Sequence, residues 1–111
     1  MHIAVTDAPN GAAVIALAGR LDLLTAADTK RRIAEAVAAG HPRVVIDLAD
    51  VTFMDSSGLS ALVSGLKAAR QAGGDLRIAR PTAQVTSILK LTMLDRVLQP
   101  FGSVEEALAG Y

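Results

Sequence analysis

The chain has 111 residues, enough for one domain over residues 1–111 and too few for two independent cores. Hydrophobic residues make up 51%, which excludes disorder. Aromatics at 3% leave the interior to Val, Ile, Leu and Ala and exclude a base-stacking platform for single-stranded nucleic acid. Eleven basic and eleven acidic residues cancel, so no net charge draws the chain to nucleic acid or to an anionic membrane, and the lack of cysteine removes disulfides and thiolate chemistry.

The first residues, Met1-His2-Ile3-Ala4-Val5-Thr6-Asp7, lack the layout of a signal peptide, and no apolar run approaches the ~20 residues that span a bilayer. The expectation is a soluble, cytoplasmic protein without a membrane partner. His2 to Thr6 alternates as a short strand, Pro9-Asn10-Gly11 is a turn signal, and Ala12 to Ala18 reads as a second strand paired with the first in a hairpin. Gly19-Arg20-Leu21-Asp22 leads into a helix that Thr25 can cap, with Asp28 as an acidic variant of the capping box. Ile33 and Val37 share one face of it, and Gly40 and Pro42 end it. Lys30, Arg31 and Arg32 read as a solvated helix face.

Val44-Val45-Ile46 is the β-branched run of a strand covered on both faces, with Asp47 near its carboxyl end and Val51 to Met54 continuing beyond. Leu59, Leu62, Val63 and Leu66 then fall at i, i+3, i+4 and i+7, one stripe of a helix that Gly73-Gly74 closes. Leu76 and Ile78 form a strand ended by Pro81. Val85, Ile88 and Leu89 repeat the helical spacing, Val97-Leu98 is the expected last strand, and Ser103 with Glu106 caps a terminal helix. Strands alternating with helices after a hairpin predict an α/β domain: a mixed, mostly parallel sheet of 4–5 strands with about four helices.

Asp55-Ser56-Ser57-Gly58 lies where strand turns into helix. Asp and Ser there are good caps, because their oxygens accept from first-turn amides. Gly58 lacks side-chain bulk, which predicts close approach of another molecule to the backbone. The helix amino end would stabilise a phosphoryl group on Ser56 by ~0.3–1 kcal/mol, and Asp55 would oppose it. A modified Ser56 should therefore leave the fold intact and change the surface.

Phe53-Met54-Asp55-Ser56-Ser57-Gly58-Leu59, preceded by Val44-Val45-Ile46-Asp47-Leu48, resembles the signature of STAS-domain anti-sigma factor antagonists. Gly19-Arg20-Leu21-Asp22 with Thr25-Ala26 resembles their earlier motif, and Asp95-Arg96-Val97 and Glu105-Glu106-Ala107-Leu108 extend the match over nearly the whole chain. The resemblance implies a STAS-like fold and a non-enzymatic switch. In that family the unmodified antagonist binds an anti-sigma factor that is itself a serine kinase, and so frees a sigma factor. The kinase, which holds ATP and Mg²⁺, phosphorylates the serine matching Ser56 and binding is lost; a separate serine phosphatase restores it. The resemblance places Asp22, Thr25, Asp55, Ser57 and Gly58 on the partner-binding surface, and implies a chain that is a monomer when free and holds no cofactor or metal. Arg20 stands where an acidic residue is common, which changes the local charge.

Other readings fit the residues less well. A serine hydrolase needs a base, and the histidines are His2 near a terminus and His41 in a Gly-His-Pro turn. Gly73-Gly74 follows a helix, the wrong end for a phosphate cradle. Asp47, Asp50 and Asp55 lack the glycine and closing glutamate of a calcium loop. Within the resemblance, the rival is an unphosphorylated STAS interaction subunit, such as a stress-sensing scaffold or a lipid-transport accessory subunit.

Overall fold

The computed structural model describes all 111 residues. Strand β1 (His2–Asp7) and strand β2 (Ala13–Leu21) pair antiparallel, from His2 opposite Ala18 to Asp7 opposite Ala13. The turn between them is a 3-10 turn over Pro9–Gly11 in which Asn10 and Gly11 both take positive φ, 64° and 74°. Asn and Gly are the residues that enter this region at least cost, so the Asn-Gly pair reverses the chain with little strain.

Helix α1 (Ala26–Ala38) crosses over to strand β3 (Arg43–Met54), which lies parallel to β2. Helix α2 (Ser56–Gln71), strand β4 (Asp75–Ala79), helix α3 (Ala83–Leu91), a two-residue strand β5 (Pro100–Phe101) and helix α4 (Val104–Leu108) follow. The five strands lie in the order β1-β2-β3-β4-β5, parallel from β2 onward. The mixed sheet and four helices are those expected. No helix is long and apolar enough to cross a membrane.

Alternation along β3 divides the interior into two. Val44, Ile46 and Leu48 enter the main core with Ile15, Leu17 and Leu21 of β2, Ile33 of α1, and Leu59, Leu62 and Leu66 of α2. Val45 faces the other way and packs with Ala79 and Ala107, under α4. Each fully buried Leu or Ile contributes roughly 1.5–3 kcal/mol, so the main core dominates stability.

Several local expectations need correction. Asp47 is the fifth residue of a twelve-residue strand and not near its end. It is nearly buried, and it survives there because Arg80 pairs with both carboxylate oxygens, Nε at 3.1 Å and a terminal nitrogen at 2.5 Å. The last strand is Pro100–Phe101; Leu98 is instead fully buried in the main core after a 3-10 turn over Leu94–Arg96. Thr25 occupies the N-cap of α1 but makes no side-chain cap bond, because its hydroxyl is engaged further back in the preceding turn. Asp28 closes no capping box and pairs with Arg31, which also reaches Glu35. At α4 the Ser103 hydroxyl does cap, accepting from Glu106 N at 3.0 Å, while the Glu106 carboxylate reaches Gly102 N.

The second face is closed by a latch. The Arg77 guanidinium lies 4.1 Å from the Tyr111 ring centroid and 5.5 Å from that of Phe101, and it donates to the carbonyls of Ala107 and Ala109. The Tyr111 hydroxyl donates to Val44 O at 3.1 Å. Desolvation pushes the Tyr111 phenol up to about 12 from its usual 10. The folded state thus holds this proton more tightly than the unfolded chain. The latch contributes fully below about pH 10, and the contribution disappears as pH rises through about 12. The chain has one tyrosine and no tryptophan, so phenolate absorbance reports this group alone. The expected titration is shifted upward in the native protein and returns to the usual tyrosine range in denaturant; coincident curves would contradict the latch.

Candidate functional site

Residues 48–54 of β3 outrun β4, whose last pair is Ala79 opposite Asp47. On one side this overhang is paired with the end of β2, up to Leu21 opposite Met54. On the other side no strand is present at Met54. Gln84 of α3 takes that place: its Oε1 accepts from Met54 N and its Nε2 donates to Met54 O, each at 2.8 Å. A side-chain carboxamide thus does what a neighbouring peptide unit does in a sheet, and neither polar backbone group of Met54 is stranded.

The backbone next turns into α2. Asp55 N donates to Leu21 O at 3.3 Å, and the Asp55 carboxylate caps the helix by accepting from Gly58 N at 3.1 Å. Ser56 is the first helical residue and is exposed; Ser57 is half-buried. A residue in the first turn projects beyond the sheet end, with its amide free of intrahelical bonds. Ser56 is therefore an accessible hydroxyl on a backbone fixed immediately before it from both sides.

Gly58 is buried, and its place in the site is internal. A Cβ there would stand 2.3 Å from Leu21 O and 2.7 Å from Leu21 Cγ. The close approach expected at this glycine is made by β2 of the same chain.

The turn after β2 lies beside this one because the strands are neighbours. Asp22 Oδ1 accepts from Leu24 N at 3.1 Å, Asp22 N donates to the Thr25 hydroxyl at 3.0 Å, and that hydroxyl donates to Arg20 O at 2.8 Å. Asp22 and Thr25 thus hold the loop in shape. Asp22 also pairs with Arg20 at 3.3 Å, and the Arg20 guanidinium sits 4.4 Å from the Phe53 ring centroid. Leu23 and Leu24 are left 75% and 90% exposed. These adjacent leucines leave apolar surface in water beside the serine turn.

Sequence reasoning named Asp22, Thr25, Asp55, Ser56 and Ser57, and the β2–β3 pairing gathers them at one end of the sheet. It missed Gln84, Leu23 and Leu24. The leucines had a signal: they stand in a turn, outside the periodic core stripe of α1. The histidines lie elsewhere. His41 precedes β3, at the opposite end from Ser56, and faces Gly11 O at 3.0 Å and the Asp7 carboxylate at 3.4 Å. His2 lies on the edge strand opposite Ala18. Of the three aspartates once grouped, Asp47 is bound to Arg80 and Asp55 to the Gly58 amide.

The STAS domain model matches residues 4–107, and the chain belongs to the STAS domain family. It is 36% identical over 101 residues to the anti-sigma-F factor antagonist RsfB of Mycobacterium tuberculosis, covering 91% of this chain and 82% of that protein. The fold superposes on a putative anti-sigma factor antagonist from Thermotoga maritima with a TM-score of 0.88 at 23% identity, covering 96% and 91% of the two chains. It also superposes on the phosphorylated form of the Bacillus cell fate determinant SpoIIAA, with a TM-score of 0.75 at 18% identity and 96% coverage of both chains.

Two substitutions test this construction. Gly58→Ala should gain up to about 1 kcal/mol from helix propensity. The clash with the Leu21 carbonyl should cost about 1–3 kcal/mol. Net destabilisation is expected, seen as a lower denaturant midpoint; an unchanged or higher midpoint would show that the contact yields. Gln84→Ala removes both bonds to Met54 and should cost about 1–3 kcal/mol. Amide exchange at Met54 should accelerate by more than at Ile46.

Proposed function

We propose that this chain is an anti-sigma factor antagonist. In its unmodified form it binds an anti-sigma factor that is a serine kinase, and so releases a sigma factor. Phosphorylation of Ser56 ends that binding. The observation that carries the reading is the exposure of Ser56 at the first position of α2, next to the exposed pair Leu23-Leu24. The relatives' names and the existence of a phosphorylated form of SpoIIAA support it.

The physical basis is a change of charge on a surface that stays in place. In the transfer, the Ser56 oxygen bonds to the γ-phosphorus of ATP held with Mg²⁺ by the kinase. The bond to ADP breaks, and the hydroxyl proton passes to a base on the kinase. The product adds a charge of about −1.5 to −2 at the centre of the contact. Desolvating that charge against groups arranged for a neutral hydroxyl costs several kcal/mol, enough to weaken binding about a hundredfold or more. Asp22, Thr25, Asp55 and Ser57 frame the surface, the first three as residues that hold its shape. A serine phosphatase reverses the change by hydrolysis. The free chain acts in the cytoplasm as a monomer.

Ser56→Ala should bind the anti-sigma factor about as tightly as the parent chain and resist phosphorylation, whereas Ser56→Asp should weaken binding at least about tenfold. Calorimetry on both variants, with mass-spectrometric mapping after incubation with kinase and ATP, measures this. A phosphate mapped to another residue, or an Asp variant that binds undiminished, would sink the phosphoswitch and favour an unphosphorylated STAS interaction subunit.

A further inference from the structure

Helices α1 and α2 pack side by side, and a groove of about 340 Å³ opens between them. Ser57, Ser60, Ser64 and Lys67 lie along one stripe of α2 and line one side; Lys30 of α1 lines the other. No carboxylate is in the lining. Neither lysine joins an ion pair. The acidic residue nearest in sequence on α1, Asp28, is taken by Arg31.

Two ammonium groups with three donors each and three hydroxyls thus border one concavity in a chain whose total charge is zero. Neither ammonium has an acidic partner in the groove, and an anion seated there would supply one to both. A phosphoryl dianion, with its three terminal oxygens, uses more of these donors than a carboxylate does. The remaining lining is small and aliphatic, with no ring to stack a base.

We propose that this groove binds the phosphoryl end of a small, non-aromatic phosphomonoester, held by Lys30, Lys67 and the hydroxyls of Ser57, Ser60 and Ser64. The site does not depend on modification of Ser56, although it opens beside it.

The test is a titration of the full-length, isotope-labelled chain by amide-resolved NMR at constant ionic strength. The probes are inorganic phosphate, methyl phosphate and dimethyl phosphate. Saturable shifts at Ser57, Ser60 and Ser64 are expected with the first two. The diester, a monoanion, should bind about tenfold more weakly or worse. Lys30→Gln and Lys67→Gln should each weaken phosphate binding about tenfold, and Lys90→Gln on α3 should leave it unchanged. Both groove lysines are exposed, so the variants should retain the parent's spectral dispersion. Ser56→Ala should bind phosphate normally, which separates this site from the antagonist reading. Shifts that follow ionic strength alone, or that saturate in Lys67→Gln at the same phosphate concentration as in the parent chain, would overturn it.

Discussion

The serine turn depends on one mismatch of lengths. β3 continues to Met54 while β4 stops opposite Asp47, so the end of β3 projects from the sheet with a strand on one side only. An unpaired peptide unit in that position would cost free energy comparable to a lost hydrogen bond. Gln84 removes the cost by bonding both polar groups of Met54. The same arrangement lifts Asp55 and Ser56 beyond the body of the sheet while keeping the backbone just before them fixed.

Rigidity and exposure normally oppose each other, since exposed loops are the mobile part of a domain. Here the parallel pairing of β2 and β3 reconciles them. It brings two short turns side by side, one closed by Asp22 and Thr25, the other by Asp55. Each turn is pinned by a side-chain carboxylate that accepts from one of its own backbone amides, Asp22 from Leu24 and Asp55 from Gly58, so little ordering remains for a partner to impose. What faces outward is a serine hydroxyl and two leucines. A surface of this kind loses little entropy on binding and is sensitive to a single added charge.

The sequence made the main architecture legible because the deciding signals were local. The Val44-Val45-Ile46 run, the Leu59 to Leu66 stripe and the Gly73-Gly74 stop each lie within a few residues of what they specify. The serine turn was legible for the same reason, through the spacing of Asp55, Ser56 and Gly58. The features that escaped depend on partners far away in the chain. Asp47 belongs mid-strand because Arg80 is there to meet it, and Gly58 is a glycine because Leu21 approaches across the sheet. Gln84 matters only because β4 is short. The final strand forms at Pro100–Phe101 because Ile78 and Ala79 offer an edge there, while Leu98 is drawn into the core.

The order of strands across the sheet is also their order along the chain. Each new strand can dock on the edge left by the one before, and none has to be inserted between two already in place. A nascent polypeptide emerging from its amino end could build this sheet stepwise, closing one crossover of about twenty residues for each parallel strand it adds. The bond partner of Met54 nevertheless arrives thirty residues later. At synthesis rates of roughly 5–20 residues per second, that is a lag of about two to six seconds. The projecting end of β3 is thus secured well after its own strand has been made, and a newly made chain acquires its finished serine turn only once α3 has folded down.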